Sequence, residues 1–222
     1  MTTEHRKQAP EMERRAYAQG VELRKTDTGS PVLRGYAARF GSVYNMGWFT
    51  EEVDKGAFKN ADMSDVRVLF NHDPSLLLGR TKSGTARVGV DKEGLWYEVD
   101  LPPTATGENV RAAVERGDLD QSSWGFMLRV DKDTNGDKWE KRDGREHRIL
   151  TDVALVFDAS PVTFPANPDT TVAKRSLEAY EAEKPADPET EEKNDPPADT
   201  GAADIETEIA IAILQHEMAL TY

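Results

Sequence analysis

The strongest constraint on the fold is how often the apolar pattern is interrupted. Between residues 20 and 170, apolar side chains recur at every second position in short runs, and turn chemistry stops each run before it lengthens. Val21-Glu22-Leu23-Arg24 alternates, "TDTGSP" turns the chain, and Val32 to Phe40 makes a second run. "DVRVLFNHD" alternates, becomes apolar and ends at Asn71-His72. Val88 and Val90 on one side of "DKEG", with Leu95, Tyr97 and Val99 on the other, read as a hairpin. "QSSWGFMLRV" and "RILTDVALVFDASPV" supply further strands, and "DKDTNGDKWEKRDGREH" reads as a polar loop or long hairpin tip. Thr50 before Glu51, Glu52 and Val53 reads as the N-cap of a short helix or turn. In "NVRAAVERGDL", Val110, Ala113 and Val114 share a helical face that Gly117 closes. Roughly seven short strands with one or two helices predict a β-rich domain, all-β or α+β, closed as a single small barrel.

Charge sets the limits of that domain. The 222 residues carry a net charge of −13, but residues 177–222 hold 13 acidic side chains against 2 lysines, which leaves only −2 on residues 1–176. A near-neutral body with an acidic end lacks the basic face that phosphate binding needs, so nucleic acid is not an expected partner. From residue 177 the composition turns to Glu, Asp, Pro, Ala and Lys, too poor in apolar surface to offset its ordering entropy. In the last stretch, Ile205, Ile209 and Ile213 fall at helical spacing beside Ala210, Leu214 and Met218. The expected organisation is a flexible arm over 1–15, a barrel domain over 16–176, a disordered acidic linker over 177–202 and an amphipathic helix over 203–222. The chain has no cysteine, which excludes disulfides, thiolate nucleophiles and cysteine-based zinc sites. No apolar run reaches the roughly 18–20 residues that span a membrane, and "MTTEHRKQAPEMERR" lacks the apolar centre of a signal peptide. The expectation is a soluble protein of a reducing cytoplasm with no membrane partner.

Two serines in a row, in "DQSSWGFM", are out of place on a buried strand, because a buried hydroxyl without a partner costs about 1–3 kcal/mol. Neighbours on a strand face opposite ways, so only one of the pair can serve a site. Ser123 alternates with Gly125, which leaves space on that face, whereas Ser122 goes with Trp124. A serine reacts at neutral pH only beside a base. Among His5, His72, His147 and His216, only His72 ends an apolar strand, where it reads either as a turn residue or as a general base. Asp152 and Asp158 both stand in apolar strand sequence, and Asp158 reads either as part of a "DASP" turn or as a carboxylate that orients an imidazole. Four scattered histidines offer no recurrent metal-ligand spacing, so a metal-dependent hydrolase built on "NHD" is the weaker reading and no metal or cofactor is expected.

With these residues in view, "NHDPSLLLGRT", "RGDLDQSSWGF" and "FDASPVTFPANPDT", in that order, resemble the prohead (capsid maturation) protease family of tailed phages. "LRGYAARFGSVYN" and "VDKGAFKN" resemble the segment by which that family enters its fold, and the likeness covers residues 16–175. The resemblance implies an assemblin-like fold and a serine endopeptidase that works inside the assembling prohead, in the host cytoplasm. Its implied substrate is the scaffolding segment of the major capsid protein; assemblin offers the analogy of a homodimer, which no residue here demands. Carried over by position, it implies His72, Ser123 and Asp158 as the catalytic residues. Many relatives have Glu where Asp158 stands, so Asp152 remains as a second candidate, and His147 as a third because assemblin uses a histidine there. Gly79-Arg80 or Gly125 are the candidate oxyanion donors. Outside that likeness, the terminal helix over 203–222 is expected to dock on scaffold or capsid protein, and the tether to be self-cleaved near 175–200. The alternative function is a non-catalytic capsid assembly or scaffolding protein.

Overall fold

The computed structural model describes residues 11–17, 20–25, 31–131, 135–164 and 170–183. Among these residues, thirteen strands form three sheets. The first sheet runs in the order β1 (Met12–Tyr17), β10 (Gln121–Leu128), β13 (Val153–Val162), β6 (Arg67–Leu69) and β7 (Leu77–Arg80). The second joins β11 (Asp137–Arg142), β12 (Arg145–Leu150), β5 (Phe49–Val53) and β4 (Tyr44–Asn45). The third joins β2 (Glu22–Lys25), β3 (Pro31–Arg39), β9 (Gly94–Asp100) and β8 (Ala86–Val90). Helices α1 (Ala105–Arg116) and α2 (Thr170–Glu183) complete the described chain. The β-rich class with two helices is as expected, but the strands lie in three sheets and do not close into one barrel.

Local chemistry accounts for most elements. The hydroxyl of Thr104 accepts from the Gly107 N–H to start α1, and Gly117, at φ 79°, ends it. The β8–β9 hairpin turns at Asp91, whose carboxylate accepts from the N–H groups of Glu93 and Gly94. The inward faces of β3, β9 and β10 meet in the main core, where Leu33, Tyr97, Leu95 and Trp124 are fully buried. Trp124 stacks on Phe126, with ring centroids 4.0 Å apart.

Three expectations give way, two of them for one reason. Residues 12–15 do not belong to a loose arm: β1 pairs with β10 along its whole length, from Met12 with Met127 to Tyr17 with Ser122. Met12 and Arg14 face out while Glu13 and Arg15 are buried, so the strand alternates, but its inward residues are charged and carry no apolar signal. Likewise Thr50 is no helix cap, since β5 turns Phe49, Glu51 and Val53 inward. The boundary expected at residue 176 falls inside α2. Its Ala173, Leu177 and Tyr180 form a helical stripe that packs on Met46, Phe49 and Trp139. The self-cleavage window therefore overlaps a packed helix up to Glu183, and the linker and terminal helix from residue 184 onward lie outside the described residues.

The charges of β1 enter a buried network that joins two sheets. Arg15 bonds Glu51 of β5 through Nε at 2.6 Å and Glu13 through Nη2 at 2.6 Å. Arg148 of β12 bonds Glu13 at 2.7 Å, Glu51 at 3.2 Å and Asp137 of β11 at 2.6 Å. Burial pushes the Glu13 carboxyl up, but the adjoining charges of Arg148 and Arg15 outweigh it and hold the group below its ordinary value. Burial pushes both guanidinium groups down, but Glu13 and Glu51, joined by Asp137 at Arg148, outweigh it and raise them above their ordinary values. Neutralising Glu13 takes one buried countercharge from both Arg15 and Arg148, so Glu13→Gln is expected to cost about 3–5 kcal/mol at pH 7 by urea unfolding. A carboxyl lowered in the folded state contributes fully above its unfolded value, about 4.3, and loses that contribution as pH falls through its folded value. The acid-induced loss of stability below about pH 4.3 is therefore predicted to be shallower in Glu13→Gln than in wild type; parallel curves would contradict it.

Candidate active site

Strands β10 and β13 lie antiparallel, with Ser123 opposite Ser160 and Gly125 opposite Asp158. Ser123, Asp158 and Ser160 point to one face of the sheet, where their side chains share partners. His72 reaches that face from the connection between β6 and β7. There the Asp73 N–H donates to the Phe70 carbonyl at 3.1 Å, and Asn71 and His72, between them, have φ of 56° and 59°. Two successive positive φ values inside a four-residue turn are the signature of a type I′ turn. Asn tolerates that region, and a His there is a strained residue held by its surroundings. Asp73 supports the turn by accepting from the Ser75 N–H at 2.8 Å and its hydroxyl at 2.6 Å. The Asn71 N–H donates to the Pro161 carbonyl at 3.1 Å, and its side-chain oxygen accepts from Thr163 through N–H at 2.7 Å and hydroxyl at 3.0 Å. The turn is thus fastened to the end of β13.

His72 Nε2 lies 2.6 Å from Ser123 Oγ, and its Nδ1 bonds the Asp158 carboxylate. A ring nitrogen facing a carboxylate is the donor, which leaves Nε2 as the acceptor for a serine hydroxyl. Ser123 Oγ also lies 2.9 Å from the Arg15 carbonyl oxygen of β1. With one proton, the hydroxyl donates to one of these at a time, and donation to His72 is the arrangement in which the oxygen can become a nucleophile. Ser123 has no exposed surface, the Asp158 side chain is 3% exposed, and His72 at 11% is the one of the three that meets solvent. The unexpected member is Ser160, fully buried, whose hydroxyl donates to the second oxygen of Asp158 and accepts from the Leu69 N–H at 3.1 Å. The signal was available as the alternation of Asp158 and Ser160 within "FDASPV".

The other candidates are engaged elsewhere. Ser122 faces the core, where its Oγ pairs with the Tyr97 hydroxyl at 2.9 Å, and the missing side chain of Gly35 makes room for that pair. Burial pushes the Tyr97 phenol well up, against the Ser122 bond and with a contribution from the Asp158 charge, so the hydroxyl stays neutral. Asp152 pairs with Arg129 at 3.2 Å. His147 is buried on β12, with Nδ1 2.7 Å from Thr50 Oγ1 and Nε2 3.6 Å from Glu52. The space beside Gly125 is not open to a substrate, because a Cβ there would run into the Phe157 ring. Nor is the Arg80 backbone N–H free, since it bonds Thr85 Oγ1 at 2.9 Å. Among the described residues, no three His, Cys, Asp or Glu side chains converge as a metal-ligand group.

A family model described as caudovirus prohead serine protease matches residues 19–183. The chain belongs to that family. It is accordingly a serine peptidase of the prohead type. Among solved structures, that of the bacteriophage T4 capsid assembly protease gp21 is similar over 71% of this chain and 100% of the other, at 11% identity and a TM-score of 0.43. No curated protein matches the chain. Strand β1, whose Arg15 carbonyl touches Ser123, lies outside the span that the family model matches. Among the described residues no helix is long and apolar enough to cross a membrane.

The two serines of "QSSW" are predicted to separate by experiment. Ser122→Ala leaves the buried Tyr97 hydroxyl unpaired and should cost about 1–3 kcal/mol in urea unfolding, while peptidase activity stays near wild type below the transition. Loss of activity in the folded Ser122 variant would reverse the assignment of faces.

Proposed function

We propose that His72, Ser123 and Asp158 are the catalytic residues of a serine endopeptidase that cleaves the scaffolding segment of the major capsid protein inside the assembling prohead. The observation that carries this reading is the position of His72, with one ring nitrogen on a serine hydroxyl and the other on a buried carboxylate. Those contacts are what acyl transfer requires. Neutral His72 takes the Ser123 proton as Oγ attacks the scissile carbonyl, giving a tetrahedral intermediate. The imidazolium, held by Asp158, then passes that proton to the leaving amine, and the C–N bond breaks. His72 then takes a proton from water as it attacks the acyl-enzyme, and returns that proton to Ser123 Oγ as the ester C–O bond breaks.

The capsid substrate is supported by membership of a prohead protease family. The tail supplies two further proposals. Residues 203–222 dock the enzyme on scaffold or capsid protein, as an amphipathic helix can. Self-cleavage falls beyond Glu183, because a packed helix such as α2 is a poor substrate and an acidic, apolar-poor tether a good one.

The test is co-expression with the capsid protein, following fragment masses over time. Wild type should shorten the capsid protein to a discrete product, and itself beyond residue 183, while Ser123→Ala, with the hydroxyl removed, should do neither. Triad loss costs a factor on the order of 10⁴ or more in turnover, so no residual cleavage should be visible on that timescale. Equal cleavage by both proteins would remove Ser123 from the mechanism, and no cleavage by folded wild type would favour a scaffolding role.

A further inference from the structure

Strands β13 and β6 share a single registered pair, Asp158 with Arg67. Two residues further along both strands stand Ser160 and Leu69, where the next rung of a parallel ladder would fall. The Leu69 N–H goes instead to the Ser160 side chain, at 3.1 Å. An N–H can only donate, so a lone pair of the Ser160 oxygen takes it, and the hydroxyl proton is left for Asp158. Both partners of Ser160 are therefore fixed in direction, and the hydroxyl has one orientation available.

The consequence falls on the carboxylate. The terminal torsion of an Asp is broad and roughly two-fold, so packing alone does not hold its plane. His72 takes one oxygen of Asp158 and Ser160 takes the other, and Ser160 is itself tied to the last residue of β6, one residue before the turn that carries His72. One buried side chain thus references the acid to the strand that delivers the base. We propose that Ser160 is a positioning residue, which acts on the reaction through the orientation of Asp158 and touches no reacting atom. The proposal rests on the reading of Asp158 as the acid of the site.

The experiment is a double-mutant cycle on the initial rate of capsid-protein cleavage, with wild type, Ser160→Ala, Asp158→Asn and the double variant, each confirmed as folded by circular dichroism. Ser160→Ala should lower kcat roughly 10- to 100-fold, the span that one hydrogen bond to a charged group is worth, with KM little changed. In the Asp158→Asn background the same change should cost nothing further, because a residue that acts through another has no effect once that one is lost. Ser160→Thr, which keeps the hydroxyl, should recover most of the rate. Equal fractional losses in both backgrounds would mean that Ser160 supports the fold alone, and full activity of Ser160→Ala beside a crippled Asp158→Asn would overturn the proposal without touching the site. If Asp158→Asn cleaved normally, or wild type not at all, the reading of the site would fall and this proposal with it.

Discussion

Two guanidinium groups and three carboxylates, all buried, hold this molecule's parts in register. Arg15 and Arg148 share Glu13 and Glu51, and Arg148 adds Asp137, so that β1 of the first sheet is bound to β5, β12 and β11 of the second. The Ser176 hydroxyl donates to Asp137 at 2.7 Å and accepts from Trp139 Nε1 at 3.0 Å, which brings α2 to the same point. Each charge costs several kcal/mol to desolvate, and the cluster persists because every member finds an opposite charge at hydrogen-bond distance. Its position matters for the site. Arg15 sits on β1 opposite Trp124, and its carbonyl meets Ser123, so the network that buries its side chain also sets the backbone beside the serine.

The site is assembled from two unlike supports. Ser123, Asp158 and Ser160 come from the middle of paired strands, where laddering on both sides of β10 leaves little freedom. His72 comes from a turn with two non-glycine residues at positive φ, a conformation that persists only because its surroundings enforce it. Bonds to the end of β13 supply that enforcement, through the Pro161 carbonyl and Thr163 on one side and Ser160 on the other. Rigid strands place Ser123 and Asp158, and a fastened turn brings His72 over them.

Legibility in the sequence followed the chemistry of each position. The β8–β9 hairpin, α1 and β10 were readable because their inward residues are apolar or their ends carry turn and cap chemistry. Strands β1 and β5 were not, because Glu13, Arg15 and Glu51 are the inward residues and a hydrophobicity pattern treats charge as surface. Of the face argument at Ser123, the opposite directions of Ser122 and Ser123 follow from strand alternation and hold in the structure. The role given to Gly125 does not, since the room it leaves is filled from within by Phe157. Asp158 and His72 stand 86 residues apart in the chain, and no periodicity relates them, so only tertiary structure or family likeness could bring them together.

The claim on which this account depends is that Ser123 is activated by His72. Treatment of the full-length protein with a serine-directed fluorophosphonate, followed by peptide mapping, tests it most directly. The account predicts a single adduct on Ser123 in wild type and none in His72→Ala. An adduct on another serine, or equal labelling of Ser123 without the histidine, would contradict it.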